Sequence, residues 1–250
     1  MTFTQTPRAA TIAGTAVTLL GFGAFGLIAA IDPALFDHLA RKDNFANTGI
    51  IEHLTVAVLI PGIIAAIYTL IRFRRMLPTG WAQLWLLLWT LACIYFAGEE
   101  CSWGQWYLEF ETPEELTGLN DQGEFNLHNM SSWLDQKPRM LVEVFVIVAG
   151  FLMPLVLHFK RDSGEDQSDG FVGKHLPWTL APAMCWAAAG VFFVQRIAKV
   201  ADNAWLDRIG TSEFRELGVA WFLALYLLSY WLRLGRLAKA KPLAPQPAAG

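Results

Sequence analysis

Charged residues are scarce in this sequence. Asp, Glu, Lys and Arg together make up 16% of its 250 residues, whereas soluble domains carry about 25%. Hydrophobic residues reach 54%, and the mean hydropathy is +0.37. This composition is typical of an integral membrane protein rather than a soluble one.

Several signatures of other protein classes are missing as well. No basic patch is interleaved with aromatic residues, which argues against a nucleic-acid partner. The three cysteines form no C-x-x-C pair and imply no disulfide framework. No H-E-x-x-H motif is present, and no G-x-S-x-G elbow surrounds Ser102, which disfavours a serine triad with His128.

Long apolar runs are what the chain has instead. A run of about 20 apolar residues is long enough to cross the hydrocarbon core of a bilayer. We therefore predict an all-α, polytopic membrane protein with one six-helix membrane domain over residues 1–235. The predicted helices are 10–31, 50–72, 81–98, 139–159, 176–201 and 212–234. A loop outside the membrane, 99–138, and a disordered Pro/Ala-rich tail, 236–250, complete the prediction.

Six helices place both ends of the chain on the same side of the membrane. Assigning that side to the cytoplasm gives it 11 of the 19 basic residues: Arg8, Arg72, Arg74, Arg75, Lys160, Arg161, Lys174, Arg233, Arg236, Lys239 and Lys241. The positive-inside rule therefore predicts cytoplasmic termini. In contrast, 18 of the 22 acidic residues fall on the outer side, so the polar chemistry is expected there.

Five of the predicted helices carry ionisable residues at this outer level of the membrane. Groups so close to the hydrocarbon usually face a bundle interior or a cavity. They are Glu52, His53, Glu99, Glu100, Arg139, Glu143, Arg196, Lys199, Asp202, Glu213 and Glu216. This convergence is the strongest functional signal in the sequence.

Glu99 and Glu100 are the sharpest case within this set. They lie at the C-terminal end of a helix, where the helix dipole is already negative, and each carboxylate repels the other. A bound cation, a retained proton, or a basic residue such as Arg196 or Lys199 has to compensate. Metal binding or acid–base catalysis with His128 is one interpretation, and a structural ion pair is the other.

A zinc site is the metal-binding version of this hypothesis. Its candidate ligands are Glu99, Glu100, His128 and His53, because zinc accepts nitrogen and oxygen ligands. Candidate binding residues are Ser102, Trp103, Gln105, Glu124 and Asn126 in the loop, with Arg196 and Lys199 as counter-charges or a phosphate clamp. Trp103, Trp106 and Tyr107 also fit an aromatic belt at the membrane interface.

The loop contains a longer motif. It runs Gly98-Glu99-Glu100-x-Ser102-Trp103-Gly104-Gln105, then Glu111-Thr112-Pro113, then Asn120-x-Gln122-x-Glu124-x-Asn126-Leu127-His128-Asn129. This motif resembles that of a family of bacterial multi-pass membrane proteins of uncharacterised activity. The resemblance implies a polytopic protein of a bacterial inner membrane and marks the motif as its distinctive part.

Two functions are consistent with these observations. The first is an enzyme of the membrane, a hydrolase or transferase that acts on a lipid or lipid-linked substrate through Glu99, Glu100 and His128. The second is a non-catalytic accessory or binding protein, or a small transporter, in which the loop is a structural cap. The lipid bilayer is the expected partner in both, and neither predicts an oligomeric state.

Overall fold

The computed structural model describes residues 6–40, 49–114, 125–126, 132–156, 171–200 and 203–240, and these residues contain no β-strand. The helices are α1 (Arg8–Ile31), α2 (Pro33–Ala40), α3 (Ile50–Arg72), α4 (Gly80–Glu100), α5 (Gln105–Leu108), α6 (Ser132–Ile147), α7 (Phe171–Thr179), α8 (Trp186–Ala198), α9 (Ala204–Ile209) and α10 (Ser212–Ala240). A π-helical turn, Val148–Leu152, continues α6. Short 3₁₀ turns lie at Arg74–Met76, Ser102–Gly104 and Ala183–Cys185.

Six helical stretches of the described chain are long and apolar enough to cross a membrane. They are Arg8–Ile31, Ile50–Arg72, Gly80–Glu100, Lys137–Val156, His175–Ala198 and Ser212–Ala240. The prediction of an all-α fold with six membrane-spanning helices is therefore confirmed. The fourth span combines α6 with its π-helical turn, and the fifth combines α7 and α8.

The last span, α10, is the centre of the bundle. In its most apolar stretch 78% of the residues are buried, against 17% to 39% in the other five spans. The side of α3 that packs on α10 carries small residues, among them Gly62 and Ala66. A Cβ atom added to Gly62 would lie 2.8 Å from the Cα of Ala224, so the two backbones are almost in contact. Small residues permit such close approach between membrane helices.

A short helix that the sequence did not predict follows α1. Asp32 ends α1 as expected, but its Oδ1 also accepts a hydrogen bond from the Leu35 amide at 3.0 Å and so caps α2. Phe36 of α2 is buried with its ring edge against Phe214 of α10, at a centroid distance of 5.6 Å. The predicted helices left residues 33–40 unassigned, and the burial of Phe36 against α10 explains why a short helix packs here.

The fifth span is broken, which corrects the prediction of one continuous helix over residues 176–201. α7 ends at Thr179, and the chain is extended at Ala181 and Pro182 before helical structure resumes. Pro182 has no amide hydrogen and disfavours helical geometry in the residue before it. The Ala181 amide donates instead to the carbonyl of Ala149 in the π-helical turn of the fourth span, at 3.1 Å.

Side chains of α10 supply donors for the carbonyls that the break leaves open. Arg233 Nη1 donates to the Pro177 carbonyl at 2.7 Å, and the Tyr226 hydroxyl lies 2.9 Å from the Thr179 carbonyl. The Tyr230 hydroxyl donates to the Trp178 carbonyl. Arg233, buried at 1% exposure, also lies 4.6 Å from the centre of the Trp178 ring. These contacts explain why an arginine lies deep in this bundle.

At two other predicted boundaries the helices extend further than expected. The loop 99–138 is partly helical, because α4 continues through Glu100 and α6 begins at Ser132. The tail predicted for 236–250 begins later, because α10 extends to Ala240 through Arg, Leu, Ala and Lys, all strong helix formers. Residues 241–250 lie outside the described part of the chain.

We expect Gly62→Ala to lower the free energy of unfolding by about 1–3 kcal/mol, the usual cost of overpacking. The new methyl group would meet the α10 backbone, which cannot move aside as a flexible side chain can. Thermal unfolding of the purified protein in detergent measures the effect. Gly235→Ala in α10 is the matched control, since nothing lies within 4 Å of its Cβ position. Equal melting temperatures for the two variants would contradict the close α3–α10 contact.

Candidate functional site

The segment after α4 turns back on itself at the end of the bundle where α4 finishes. Ser102, Trp103 and Gly104 all have left-handed backbone angles, with φ of 46°, 52° and 90°. Such angles are unfavourable for the two residues that are not glycine, at about 1–3 kcal/mol each. They reverse the chain within one turn and carry the Trp103 side chain back onto α4.

Trp103 is clamped against the end of α4 by two residues of the motif. Its ring lies over Gly98, where an added Cβ would come within 2.9 Å of the indole. Its Nε1 donates a hydrogen bond of 2.7 Å to Oε1 of Glu99, whose side chain is buried at 4% exposure. The spacing Gly98-Glu99-x-x-x-Trp103 therefore builds one contact, and Trp103 is more than a member of an interfacial belt.

Gln105 ties the following loop together. Its Nε2 donates to the Phe110 carbonyl at 3.0 Å and to the Thr112 hydroxyl at 2.8 Å. Its Oε1 accepts from the Phe125 amide at 2.7 Å. Nearby, Asn126 Nδ2 donates to the buried Ser102 hydroxyl at 3.2 Å. Gln105, Ser102 and Asn126, all predicted as binding residues, therefore make contacts that hold the loop in shape.

His53 lies at the start of α3 and contacts this segment. Its Nδ1 is 2.8 Å from the Tyr107 hydroxyl, and its ring meets Trp106 edge-on at 6.3 Å. The neighbouring Glu52 has a different role, since its Oε2 accepts the Gly49 amide at 3.1 Å and caps α3. Of this pair, only His53 contacts the motif segment through these bonds.

The proposed zinc ligands are only partly within the described structure. Among the residues it describes, no group of three His, Cys, Asp or Glu side chains is placed to hold a metal ion. His128 and Glu124 both lie outside the described ranges. The described residues alone thus do not fit a zinc ion, and a site that includes His128 stays a prediction.

Arg196, one of the two basic residues predicted to compensate Glu99 and Glu100, pairs with another carboxylate, as does the neighbouring Arg139. Arg196 Nε lies 3.3 Å from Glu143 Oε2, and Arg139 Nη1 lies 2.7 Å from Glu216 Oε1. Lys199 is exposed at the end of α8. The guanidinium groups of Arg139 and Arg196 are therefore already paired with the carboxylates of Glu143 and Glu216. Glu99 accepts one hydrogen bond from the Trp103 indole.

Arg215 is the residue of this level that sequence reasoning missed. Its side chain is 8% exposed, and its Nη1 lies 3.4 Å from Glu143 Oε1. An arginine near a helix start suggests an interfacial position, so its burial was not expected. The apolar run that follows it, Leu217 to Leu225, was the available sign that this helix is buried on every side.

The acidity of the Cys101 thiol is altered by its position in this segment. Burial raises the pKa of the Cys101 thiol, a hydrogen bond from the Gly104 backbone opposes this rise, and the charge of Glu100 adds to it. The thiol donates to the Ala97 carbonyl at 3.1 Å. Burial also raises the pKa of the Tyr107 hydroxyl.

We expect Glu100→Gln to lower the pH at which Cys101 becomes reactive. In the unaltered protein the alkylation rate should reach half its maximum above the usual thiol range of about 8 to 9. Removing the Glu100 charge removes one cause of the rise, so the midpoint should move down. The rate of iodoacetamide modification, mapped to Cys101 by mass spectrometry across pH, measures this. Glu109→Gln is the control, and an unchanged midpoint in Glu100→Gln would contradict the coupling.

Comparison of the chain with protein-family models, curated proteins and solved structures finds no match. The resemblance of the 98–129 motif to a bacterial family therefore stays a prediction, and the function has to be argued from the geometry.

Proposed function

We propose that the protein is a membrane-embedded enzyme, a hydrolase or transferase acting on a lipid or lipid-linked substrate, with Glu99 as its acid–base residue. The observation that carries this proposal is the buried Glu99 carboxylate at the membrane border, oriented by the Trp103 indole at 2.7 Å. A carboxyl group withdrawn from water and held in one orientation is prepared to exchange a proton with a bound substrate.

The strained backbone beside Glu99 supports this interpretation. Left-handed residues that are not glycine concentrate at active sites and ligand clamps, where the rest of the fold holds them in place. Ser102 and Trp103 are two such residues in succession, immediately after the carboxylate pair. The chain thus accepts an energetic cost at the point where Trp103 contacts Glu99.

Glu100 and His128 complete the proposed site. Glu100 projects about 100° around the helix from Glu99, so the two carboxylates serve different neighbours. His128, which lies outside the described ranges, is the proposed proton partner of Glu99. No step of this proposal passes through a metal ion.

We place the site on the extracytoplasmic face of a bacterial inner membrane, with both termini in the cytoplasm. The excess of basic residues on the side of the termini supports this orientation. Glu109, which is exposed in the motif segment, and Arg75, exposed in the turn before α4, lie at opposite ends of the third span.

Cysteine labelling tests this orientation. In a Cys101→Ser background, Glu109→Cys should react with a membrane-impermeant maleimide in intact spheroplasts. Arg75→Cys, the control at the other end of the span, should react only after the membrane is permeabilised. The reverse pattern would place the motif in the cytoplasm.

A non-catalytic polar cap is the second candidate. The bonds that Gln105 makes to three parts of the loop, and the bond from Asn126 to Ser102, favour it. The small-transporter alternative gains no separate support from the broken fifth span. Arg233, Tyr226 and Tyr230 already donate hydrogen bonds to the carbonyls that the break exposes.

Glu99→Gln separates the two candidates. Glutamine keeps an oxygen that accepts the Trp103 N–H, but it cannot exchange a proton, so the fold should survive while turnover falls by at least about 100-fold. Purified protein incubated with total lipid extract, followed by mass spectrometry of the lipids, measures turnover. Glu111→Gln, an exposed carboxylate of the same loop, is the control. Glu99 is excluded as the acid–base residue if Glu99→Gln converts lipids as fast as the unaltered protein. The polar-cap candidate is favoured if neither protein converts any lipid and Glu99→Gln lowers the melting temperature.

A further inference from the structure

Three arginines from three different spans meet at the outer end of the bundle. Arg139 comes from α6, Arg196 from α8 and Arg215 from α10. All three contact Glu143, at 3.6, 3.3 and 3.4 Å, and Arg139 also contacts Glu216 at 2.7 Å. We call these five residues the arginine cluster.

The arginine cluster carries more positive than negative charge. Three guanidinium groups face two carboxylates, and one of these, Glu143, is shared by all three arginines at moderate distances. Uncompensated charge is expensive at a membrane border, where it is only partly hydrated. Counted over the residues that the structure describes, the five side chains therefore leave room for one further negative charge.

Buried hydrogen-bond donors point to the same conclusion. Arg139 Nη2, Arg215 Nε and the Thr211 hydroxyl are buried, and within the described part of the chain none has a hydrogen-bond partner. Thr211 lies one helical turn before Arg215, so the two belong to the same side of the helix start. Arginine is also the residue best suited to phosphate, because its planar group donates two parallel hydrogen bonds.

The arginine cluster lies near the ends of three helices that are long enough to cross a membrane. The spans that carry it begin at Lys137, end at Ala198 and begin at Ser212. At 1.5 Å per residue, the three arginines lie within about 3–5 Å of these span ends. An anion bound there would sit at the border between headgroups and hydrocarbon.

We propose that the arginine cluster binds a phosphate-bearing anion, either the headgroup of an anionic lipid or free phosphate, between the fourth, fifth and sixth spans. Arg139, Arg196 and Arg215 provide the charge and the hydrogen bonds, while Glu143 and Glu216 hold the guanidinium groups in position. The site is independent of the acid–base role proposed for Glu99.

Ligand-dependent thermal stability tests the proposal. The full chain, purified in a neutral detergent, is titrated with inorganic phosphate, short-chain phosphatidylglycerol, short-chain phosphatidylcholine or chloride at constant ionic strength. A ligand that binds only the folded state raises the melting temperature in proportion to its occupancy, which yields a dissociation constant. Phosphatidylglycerol, phosphate or both should stabilise the protein, whereas chloride and phosphatidylcholine should not.

Matched variants assign the effect to the arginine cluster. Arg196→Gln and Arg139→Gln should each weaken binding about tenfold, the loss expected for one charge-assisted hydrogen bond. The control is Arg208→Gln, because Arg208 lies on the same side of the membrane in a one-to-one pair with Asp37 at 3.1 Å. Glu216→Gln removes a competing carboxylate and should tighten binding about fivefold, a gain that misfolding cannot produce.

The two probes also identify the source of the anion. Stabilisation by phosphatidylglycerol alone supports a lipid headgroup, and stabilisation by free phosphate as well supports a soluble anion. The proposal is overturned if neither probe stabilises the protein beyond chloride, if Arg208→Gln weakens binding as much as Arg196→Gln, or if Glu216→Gln leaves affinity unchanged.

Discussion

A backbone carbonyl inside a membrane bundle cannot accept a hydrogen bond from water, and most of this structure follows from that constraint. The fifth span cannot remain helical at Pro182, so α10 supplies Tyr226, Tyr230 and Arg233 as donors for the open carbonyls. Those side chains have to be buried to do so. The helix that carries them therefore occupies the centre, and the other spans surround it.

The number and type of the spans could be predicted because they depend on local composition. Twenty apolar residues specify a membrane helix whatever its neighbours are. The break at Pro182 could not, because a membrane helix can also continue through a proline when neighbouring groups satisfy the freed backbone atoms. The choice between a broken and an unbroken helix depends on the donors from α10 and on the hydrogen bond from the Ala181 amide to the Ala149 carbonyl. Both involve distant parts of the chain.

The site shows the same division. The sequence identified Glu99 as a problem to be compensated, and the structure supplies one partner from four residues away, Trp103. That contact depends on left-handed backbone angles at Ser102 and Trp103. Serine and tryptophan rarely adopt such angles, so the residue types do not predict them. Four of the five residues of the arginine cluster were placed at one membrane level from the sequence. Their ion pairs and the burial of Arg215 could not be predicted, because the three arginines are distant in sequence.

The central position of α10 also has a consequence for biogenesis. α10 is the last of the six spans to leave the ribosome, yet it is the one on which the others pack. Until it is inserted, the first five spans lack their common packing partner, and the carbonyls at the break lack their donors. The contacts that the other spans make with α10 can therefore form only after all five have been synthesised, so completion of the bundle is a late event.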